Sequence, residues 1–401
     1  MIESTLKAYH QEHLLRYMEE LNESERQLFL SELEKIDWSV LEETAYASAV
    51  NEGDIAPIPQ LSVLEIQKNQ ERFERVGKEA IRKGKVAAVL LAGGQGTRLG
   101  SSAPKGAYNV GLTRTLYIFE IHIKHLLSRY ESCGAYVPLF IMTSDKNHEE
   151  TVSFFEEHDY FGYPKRYVRF FKQSMAPCID FEGKLLLEDR AKIASSPNGN
   201  GGWYVSLKKS EVEKDFRGIE WYNVFSVDNV LQQIADPIFV GATILSGKNC
   251  GAKGVRKTVP SEKVGVLCLK NGLPTVIEYY ELDDERANAR DEKGELLYSF
   301  GVTLNYLLKA EKLQKVFQEK LPVHRAKKKV PFMDEAGNLV TPEQENAYKF
   351  ETLILDMVRY MEDCLPFEVV REKEFAPVKN LTGVDSVDTA RELLIKNGFE
   401  L

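Results

Sequence analysis

The apolar residues of this chain follow two patterns. Short unbroken apolar runs, bounded by polar or turn residues, are typical of strands buried on both faces of a parallel sheet. Between these runs, apolar residues recur every three or four positions, as they do on one face of a helix. The runs predict strands at residues 86–92, 136–143, 167–171 and 219–227, and the periodic stretches predict helices at residues 115–129 and 149–158. This alternation predicts a doubly wound α/β sheet.

The N-terminal part, residues 1–75, is acidic and has a helical pattern. Ser24 and Gln27 fit a capping box, and the apolar stripe that follows them is expected to pack against the main domain. After a proline-containing linker, a further helix is predicted at residues 62–83.

The pattern changes again beyond residue 250, where strands dominate. Asn271 and Gly272 lie between two apolar runs and predict a two-residue hairpin turn. Helices are predicted at residues 304–321 and 352–364. The chain is therefore expected to divide into residues 1–75, a main domain at 76–320 and a C-terminal region at 321–401.

A glycine-rich stretch follows the first apolar run. Gly93, Gly94 and Gly96 allow the backbone to turn sharply and lie against a ligand. Arg98 and Lys105 add two positive charges beyond the turn. Backbone N–H groups beside fixed positive charge suit a phosphate chain, although a simple strand-to-helix turn is the alternative. The spacing matches neither a Walker loop nor a Rossmann dinucleotide fingerprint.

The pattern Leu-x-x-Gly-Gly-x-Gly-Thr-Arg, followed by Pro104 and Lys105, resembles the signature of UDP-N-acetylhexosamine pyrophosphorylases, which are UDPGP-type uridylyltransferases. The resemblance covers nearly the whole chain. It implies a Rossmann-like, GT-A-like mixed sheet flanked by helices, with an N-terminal helical segment, a nucleotidyltransferase domain at 76–320 and a small C-terminal region.

The resemblance also implies the residues of a site. Arg98 and Lys105 match its catalytic positions. The residues that match its nucleotide-binding positions are Leu91, Ala92, Gly93, Gly94, Gln173, Gly199, Asp228 and Lys379. Those that match its sugar-binding positions are Asn200, Glu278, Tyr279 and Val302.

Asp228 has two interpretations. A carboxylate at the end of a buried strand, facing a phosphate loop, is suited to Mg²⁺, which prefers one or two carboxylates together with phosphate oxygens. An N-cap for the following helix is equally consistent with the residues alone. The resemblance favours the interpretation of Asp228 as a metal ligand, because the matching aspartate of the family binds metal and nucleotide.

Two positions bear on the sugar. Asn200 lies in a glycine-rich loop that matches the family at five of six positions, with Asn198 in place of an aspartate, and its amide can both donate to and accept from sugar hydroxyls. Val302 stands where the family has an asparagine that helps to hold the sugar. Asn305 is nearby, but its direction does not follow from the sequence.

Composition narrows the class of partner. The chain has 401 residues, of which 43% are hydrophobic and 28% charged, as in ordinary globular proteins. The formal charge of −9 argues against nonspecific nucleic-acid binding. The five cysteines are scattered, as in a reducing compartment, and no apolar run is long enough to span a bilayer. We expect a cytoplasmic protein with no nucleic-acid or membrane partner; the oligomeric state stays open.

The resemblance implies a reaction in which a sugar 1-phosphate attacks the α-phosphate of UTP in line and releases pyrophosphate. Mg²⁺ is the expected cofactor, with Mn²⁺ as the alternative cation. N-acetylglucosamine 1-phosphate or a related HexNAc 1-phosphate is the expected sugar, and glucose 1-phosphate is the alternative. A glycosyltransferase is disfavoured because Asp228 does not begin an Asp-x-Asp motif. A nucleotide sensor is disfavoured because Arg98, Lys105, Asp228 and Lys379 are all present.

Overall fold

The computed structural model describes residues 2–42, 53–319, 321–334 and 336–401. Its helices are α1 (Ile2–Ala8), α2 (His13–Glu19), α3 (Glu23–Lys35), α4 (Val63–Lys68), α5 (Gln70–Arg82), α6 (Ile118–Cys133), α7 (His148–Glu157), α8 (Trp203–Ser210), α9 (Pro237–Ser246), α10 (Asp284–Asn288), α11 (Ala310–Glu319), α12 (Ile354–Tyr360), α13 (Arg371–Glu374) and α14 (Val387–Lys396).

Its strands are β1 (Ile55–Pro57), β2 (Val86–Leu91), β3 (Leu139–Thr143), β4 (Val168–Lys172), β5 (Met175–Pro177), β6 (Ile179–Asp180), β7 (Leu187–Asp189), β8 (Lys192–Ile193), β9 (Ser195–Pro197), β10 (Trp221–Ser226), β11 (Cys250–Arg256), β12 (Val266–Lys270), β13 (Leu273–Ile277), β14 (Phe300–Lys309), β15 (His324–Lys328), β16 (Phe332–Met333), β17 (Leu339–Val340), β18 (Ala347–Glu351) and β19 (Leu365–Glu368).

The contacts group these elements into two units. Unit 1 comprises the described residues within Met1–Ser48, Gln173–Gly202 and Lys320–Ile354, and unit 2 those within Ala49–Lys172, Trp203–Glu319 and Leu355–Leu401. The three consecutive regions expected from the sequence are therefore not the units of the fold. Strand pairing between distant stretches explains the difference, because β18 pairs with β6 across more than a hundred residues.

Unit 1 is built on the three-stranded sheet β15-β18-β6 and the helices α1 to α3. Phe29 and Leu33 of α3 are fully buried in a core that also contains Ile179 and Phe350. The apolar stripe of the N-terminal helices is thus buried, as expected, but its partners in this core belong to unit 1 and not to the main sheet of unit 2. The capping box lies two residues earlier than predicted, at Asn22 and Glu25, since α3 begins at Glu23.

Unit 2 contains a mixed ten-stranded sheet whose central path is β1-β12-β14-β10-β2-β3-β4. Strands β10, β2, β3 and β4 are parallel to one another, and β14 pairs antiparallel with β10. All six residues of β2 are buried, as its unbroken apolar run predicted. The predicted α/β fold with a mixed sheet and flanking helices is confirmed.

Two predictions beyond residue 250 had different outcomes. The hairpin turn is confirmed: it joins β12 to β13, and Asn271 and Gly272 have φ of 52° and 76°. The helix predicted at residues 304–321 is wrong in its first part, because residues up to Lys309 belong to β14 and only α11 is helical. The apolar run of β14 is buried between β10 and β11, and this pairing decides its conformation.

Helices α5 and α9 of unit 2 approach each other closely at two glycines. A Cβ atom on Gly77 would lie 1.8 Å from the Pro237 carbonyl oxygen, and one on Gly241 would lie 1.8 Å from the Phe73 carbonyl oxygen. The two backbones can therefore touch only because neither position carries a side chain. None of the helices in the described ranges is long and apolar enough to cross a membrane.

We predict that Gly241→Ala destabilises the protein. Alanine gains about 1 kcal/mol in helix propensity, but overpacking against a backbone carbonyl costs about 1–3 kcal/mol or more. Thermal unfolding should show a lower midpoint for Gly241→Ala than for the wild type. Gly94→Ala is the control, because a Cβ there meets nothing within 4 Å; equal midpoints for the two variants would contradict the close approach.

Candidate active site

The carboxyl ends of the parallel strands of unit 2 form one edge of the sheet. Leu91 pairs with Ser226, so β2 and β10 end level with each other. The glycine-rich loop leaves β2 directly after Leu91, and Asp228 lies two residues after the end of β10. Ligands of open α/β sheets bind at this edge, and the structure places both candidate stretches there.

The glycine-rich loop presents unused backbone donors. The N–H groups of Gly93, Gly94 and Gln95 donate no hydrogen bond to any described residue. The side of Gly94 where a Cβ would stand is open space. Leu91 and Ala92, which precede these groups, are buried and anchor the loop in the sheet. Backbone N–H groups without a protein acceptor are suited to an anion.

Two cations lie beyond this loop. Arg98 is exposed on a short 3-10 turn, Thr97–Leu99, and makes no hydrogen bond or ion pair with the described residues. Lys105 begins a second such turn, Lys105–Ala107, and its side chain is only 13% exposed. Gly106 lets this turn lie against α6, because a Cβ there would be 2.2 Å from the ring of Phe119.

Lys105 and Asp228 are brought together. Lys105 Nζ lies 2.7 Å from Asp228 Oδ1, and the Asp228 side chain is 32% exposed. The N-cap interpretation of Asp228 is wrong, since the next helix, α9, begins at Pro237 and Asp236 caps it by accepting from the Ile238 N–H. Asp228 therefore lies in a non-helical bend with its carboxylate directed to Lys105, which follows the glycine-rich loop.

The backbone around Asp228 is held by residues 376–378 and by His122 of α6. Val378 N–H donates to the Asp228 carbonyl oxygen at 2.9 Å. Asn229 Oδ1 accepts from the Ala376 N–H at 2.8 Å. His122 Nε2 lies 3.0 Å from the Val227 carbonyl oxygen.

His122 was not found from the sequence. Burial lowers the pKa of its imidazole to about 4, so the ring is neutral at pH 7 and Nε2–H is the donor to the Val227 carbonyl. Its position on the apolar face of α6 makes it indistinguishable in sequence from a core residue.

Lys379 follows the segment that contacts Asp228. Its Nζ donates to Asp385 Oδ2 at 2.9 Å, and its side chain is 39% exposed. The structure thus places this lysine at the same edge of unit 2, one residue after Val378, but pairs it with a neighbouring carboxylate.

Two of the sugar-binding candidates of unit 2, Glu278 and Val302, lie close to Gly265. A Cβ at Gly265 would lie 3.6 Å both from Glu278 Oε2 and from Val302 Cγ2. Tyr279, next to Glu278, is 41% exposed. Val302 is buried in β14, and its N–H donates to the Gly265 carbonyl oxygen at 2.9 Å.

Asn305 does not replace the asparagine that is missing at position 302. Its side chain is fully buried, and its Oδ1 accepts from Asn223 Nδ2 at 2.7 Å. Its own Nδ2 is 3.4 Å from Gln232 Oε1. The amide is therefore used inside unit 2, and the sequence could not have given this direction because β14 was in part predicted as a helix.

The remaining candidates belong to unit 1. Gln173 directly follows β4 and is 8% exposed. Its neighbour Ser174 accepts from the Asn198 N–H at 3.1 Å, which connects it to the second glycine-rich loop. Gly199 has φ of 85°, and a Cβ there would lie 2.3 Å from the Thr352 carbonyl oxygen, so this loop position requires glycine.

Asn200 is already engaged through its oxygen. Asn200 Oδ1 accepts from the Ile354 N–H at 2.9 Å. The oxygen keeps one lone pair that could accept a further hydrogen bond. The two N–H donors of the side-chain amide are both still available. Asn200 is thus oriented by Ile354 so that it can act chiefly as a donor, which is narrower than the donor-and-acceptor role considered from the sequence.

Comparison with known proteins identifies the family of this chain. A family model described as UTP–glucose-1-phosphate uridylyltransferase matches residues 30–394. UDP-N-acetylhexosamine pyrophosphorylase-like protein 1 of Mus musculus is 39% identical over 99% of this chain and 84% of its own length. UDP-N-acetylglucosamine pyrophosphorylase of Saccharomyces cerevisiae is 38% identical over 86% of this chain and 76% of its own.

A solved structure is similar to this chain in its fold. The crystal structure of the uridine diphosphate N-acetylglucosamine pyrophosphorylase from Trypanosoma brucei in complex with an inhibitor has a TM-score of 0.81 and 28% identity, over 98% of this chain and 83% of that chain. With the family model covering most of the sequence, this chain belongs to the UTP–glucose-1-phosphate uridylyltransferase family, the UDP-sugar pyrophosphorylases.

Proposed function

We propose that this enzyme forms UDP-N-acetylglucosamine, or a related UDP-HexNAc, and pyrophosphate from UTP and the sugar 1-phosphate. The observation that carries the proposal is the Lys105–Asp228 pair, 2.7 Å apart, beside the free N–H groups of residues 93–95. The names of the relatives support N-acetylglucosamine over glucose.

The chemistry needs no covalent enzyme intermediate, because the attacking phosphate oxygen is already an anion. Catalysis then consists of aligning the two substrates and neutralising charge as the α-phosphorus is attacked in line. Lys105 is assigned to the α-phosphate. Arg98, which is exposed and has no partner among the described residues, is assigned to the departing pyrophosphate. The N–H groups at Gly93 and Gly94 are assigned to the phosphate chain.

We propose Mg²⁺ as the cofactor, with Mn²⁺ able to replace it. The described residues contain no cluster of three His, Cys, Asp or Glu side chains that could form a closed metal cage. A single, partly exposed carboxylate fits Mg²⁺, which binds one or two carboxylates and completes its shell with phosphate oxygens and water. Asp228 would hold the cation, which neutralises phosphate charge when bound.

The other proposed substrate contacts are given separately for each unit of the fold. In unit 2, Glu278, Tyr279 and Val302 are assigned to the sugar and Lys379 to a phosphate oxygen. In unit 1, Gln173 is assigned to the uracil, Gly199 to the nucleotide and Asn200 to the sugar.

We also propose where the enzyme is located and which molecules it binds. The described cysteines, including the neighbouring Cys250 and Cys364, are free and buried thiols, which supports a cytoplasmic location. UTP and the sugar 1-phosphate are the expected partners.

A panel of sugar 1-phosphates tests the function. With UTP and Mg²⁺, pyrophosphate release should be fastest with N-acetylglucosamine 1-phosphate or N-acetylgalactosamine 1-phosphate, because the Asn200 donors suit an N-acetyl carbonyl or hydroxyl oxygen. Faster release with glucose 1-phosphate would favour the alternative, in which Val302 removes a contact to the amino sugar. If no sugar 1-phosphate leads to pyrophosphate release, the proposed uridylyltransferase activity is contradicted.

Replacement of Lys105 tests the phosphate assignment. Lys105→Ala should lower kcat by about a hundredfold or more, the cost of removing one preorganised charge from a transition state, while uridine binding changes little. Lys85→Ala is the matched control, since Lys85 Nζ pairs with Glu220 Oε1 at 2.7 Å at the opposite ends of β2 and β10. Similar kcat values for the two variants in steady-state assays would refute the role of Lys105.

Replacement of Asn200 tests the sugar contact. Asn200→Asp keeps an oxygen for the Ile354 N–H but loses the amide donors, so the KM for the sugar 1-phosphate should rise about tenfold with little change in the KM for UTP. Asn200→Ala, which also loses the contact to Ile354, separates the donor from the structural role. If only Asn200→Ala impairs the enzyme, Asn200 acts by holding the loop and does not contact the sugar.

A further inference from the structure

A buried side chain from a neighbouring loop holds the carbonyl oxygens of the glycine-rich loop. Asn147 lies after β3 in unit 2 and is fully buried. Its Nδ2 donates to the Ala92 carbonyl oxygen at 2.9 Å and to the Gly94 carbonyl oxygen at 3.3 Å. Its Oδ1 accepts from the Ser144 N–H at 2.8 Å and from the Ser144 hydroxyl at 3.0 Å.

Only one orientation of the amide satisfies these four contacts. If the amide were turned over, its oxygen would face two carbonyl oxygens and its NH₂ would face the Ser144 N–H. Asn147 precedes α7, but its side chain does not cap that helix. Both donors and both acceptor positions of this buried amide are therefore used, and they join the loop after β3 to the loop after β2.

These contacts set the direction of the free N–H groups. In a trans peptide the carbonyl oxygen and the following N–H point in opposite directions, and the described backbone contains no cis peptide bond. Because the oxygens of Ala92 and Gly94 point to Asn147, the N–H groups of Gly93 and Gln95 point away from it. Both are among the donors that bond to no described residue.

We propose that Asn147 is a positioning residue for nucleotide binding, which fixes two peptide planes so that their N–H groups face the phosphate chain of UTP. The inference rests on the proposed binding of UTP. Asn147 is also connected to Lys105 through a shared acceptor. The Gly94 carbonyl oxygen accepts from the Lys105 N–H at 3.2 Å as well as from Asn147. One acceptor thus connects the anion-binding loop, the lysine and the buried amide.

The test compares the binding of UTP with Mg²⁺, measured by calorimetry, and of uridine, measured by NMR titration, in the full-length protein. Asn147→Asp has the same shape and keeps the contact to Ser144, but its carboxylate cannot donate to the loop. Asn147→Thr retains one donor. Thr151→Val is the matched control: Thr151 lies one turn further along α7, is fully buried, and its Oγ1 has no partner among the described residues.

The expected result is selective. Asn147→Asp should weaken UTP binding about ten- to a hundredfold, as expected when two buried acceptors lose their donor, with uridine binding within about twofold of the wild type. Asn147→Thr should lie between Asn147→Asp and the wild type, and Thr151→Val should match the wild type for both ligands. A general structural defect would instead weaken UTP and uridine equally, and that result would overturn the inference.

Unchanged UTP binding in both folded Asn147 variants would overturn it as well. If Asn147→Asp fails to fold by circular dichroism, the ratio of UTP to uridine affinity in Asn147→Thr decides. The test measures only binding. If the wild-type protein binds UTP but releases no pyrophosphate, the proposed function is contradicted, while the role of Asn147 in binding is unaffected. A wild type that does not bind UTP would reject both.

Discussion

The parallel register of β2 and β10 is the constraint on which the rest of the site depends. Because Leu91 pairs with Ser226, the two strands end together and release their loops at one edge of the sheet. Lys105 from the first loop then reaches Asp228 after the second. A shift of one residue would turn the side chains of β10 to the opposite face and carry Asp228 away from the lysine. The chemistry follows from this alignment, since neither group is unusual by itself.

Polar groups inside unit 2 keep the segment after β10 in place. Lys253 is almost completely buried, with its Nζ 2.9 Å from Asp236 Oδ2 and 2.6 Å from Glu374 Oε2. Burial acts to lower the pKa of the Lys253 ammonium, but the two carboxylates outweigh burial and raise it above the ordinary value. Asp236 caps α9, and Glu374 lies just before the segment that contacts Asp228 and Asn229. Since removing one member would leave an uncompensated buried charge, this cluster resists displacement of either end.

The sequence revealed the parts of the site whose chemistry is local. The strand–glycine–arginine pattern around Gly93 and Arg98 could be recognised because it occupies a short stretch with its own conformational signal. The residues alone left Asp228 open between a metal ligand and an N-cap, and only the family resemblance favoured the metal. Asn147 could not be recognised, since its contacts form only when two loops far apart in sequence meet. The start of β14 was predicted as a helix for the same reason: its apolar run suits both conformations, and pairing with β10 and β11 decides between them. The units escaped prediction because they join stretches that are distant in the chain.

Lys105, Asp228 and the N–H groups of residues 93–95 together make one centre for the triphosphate and its cation in the mechanism proposed for this enzyme. A crystal structure of the protein with UTP and Mn²⁺, in which anomalous scattering locates the cation, would show whether they do. We expect an anomalous peak at the Asp228 carboxylate, with the triphosphate on the N–H groups of the loop and the α-phosphate within hydrogen-bonding distance of Lys105 Nζ. A cation bound elsewhere, or a triphosphate that does not touch residues 93–95, would contradict this mechanism.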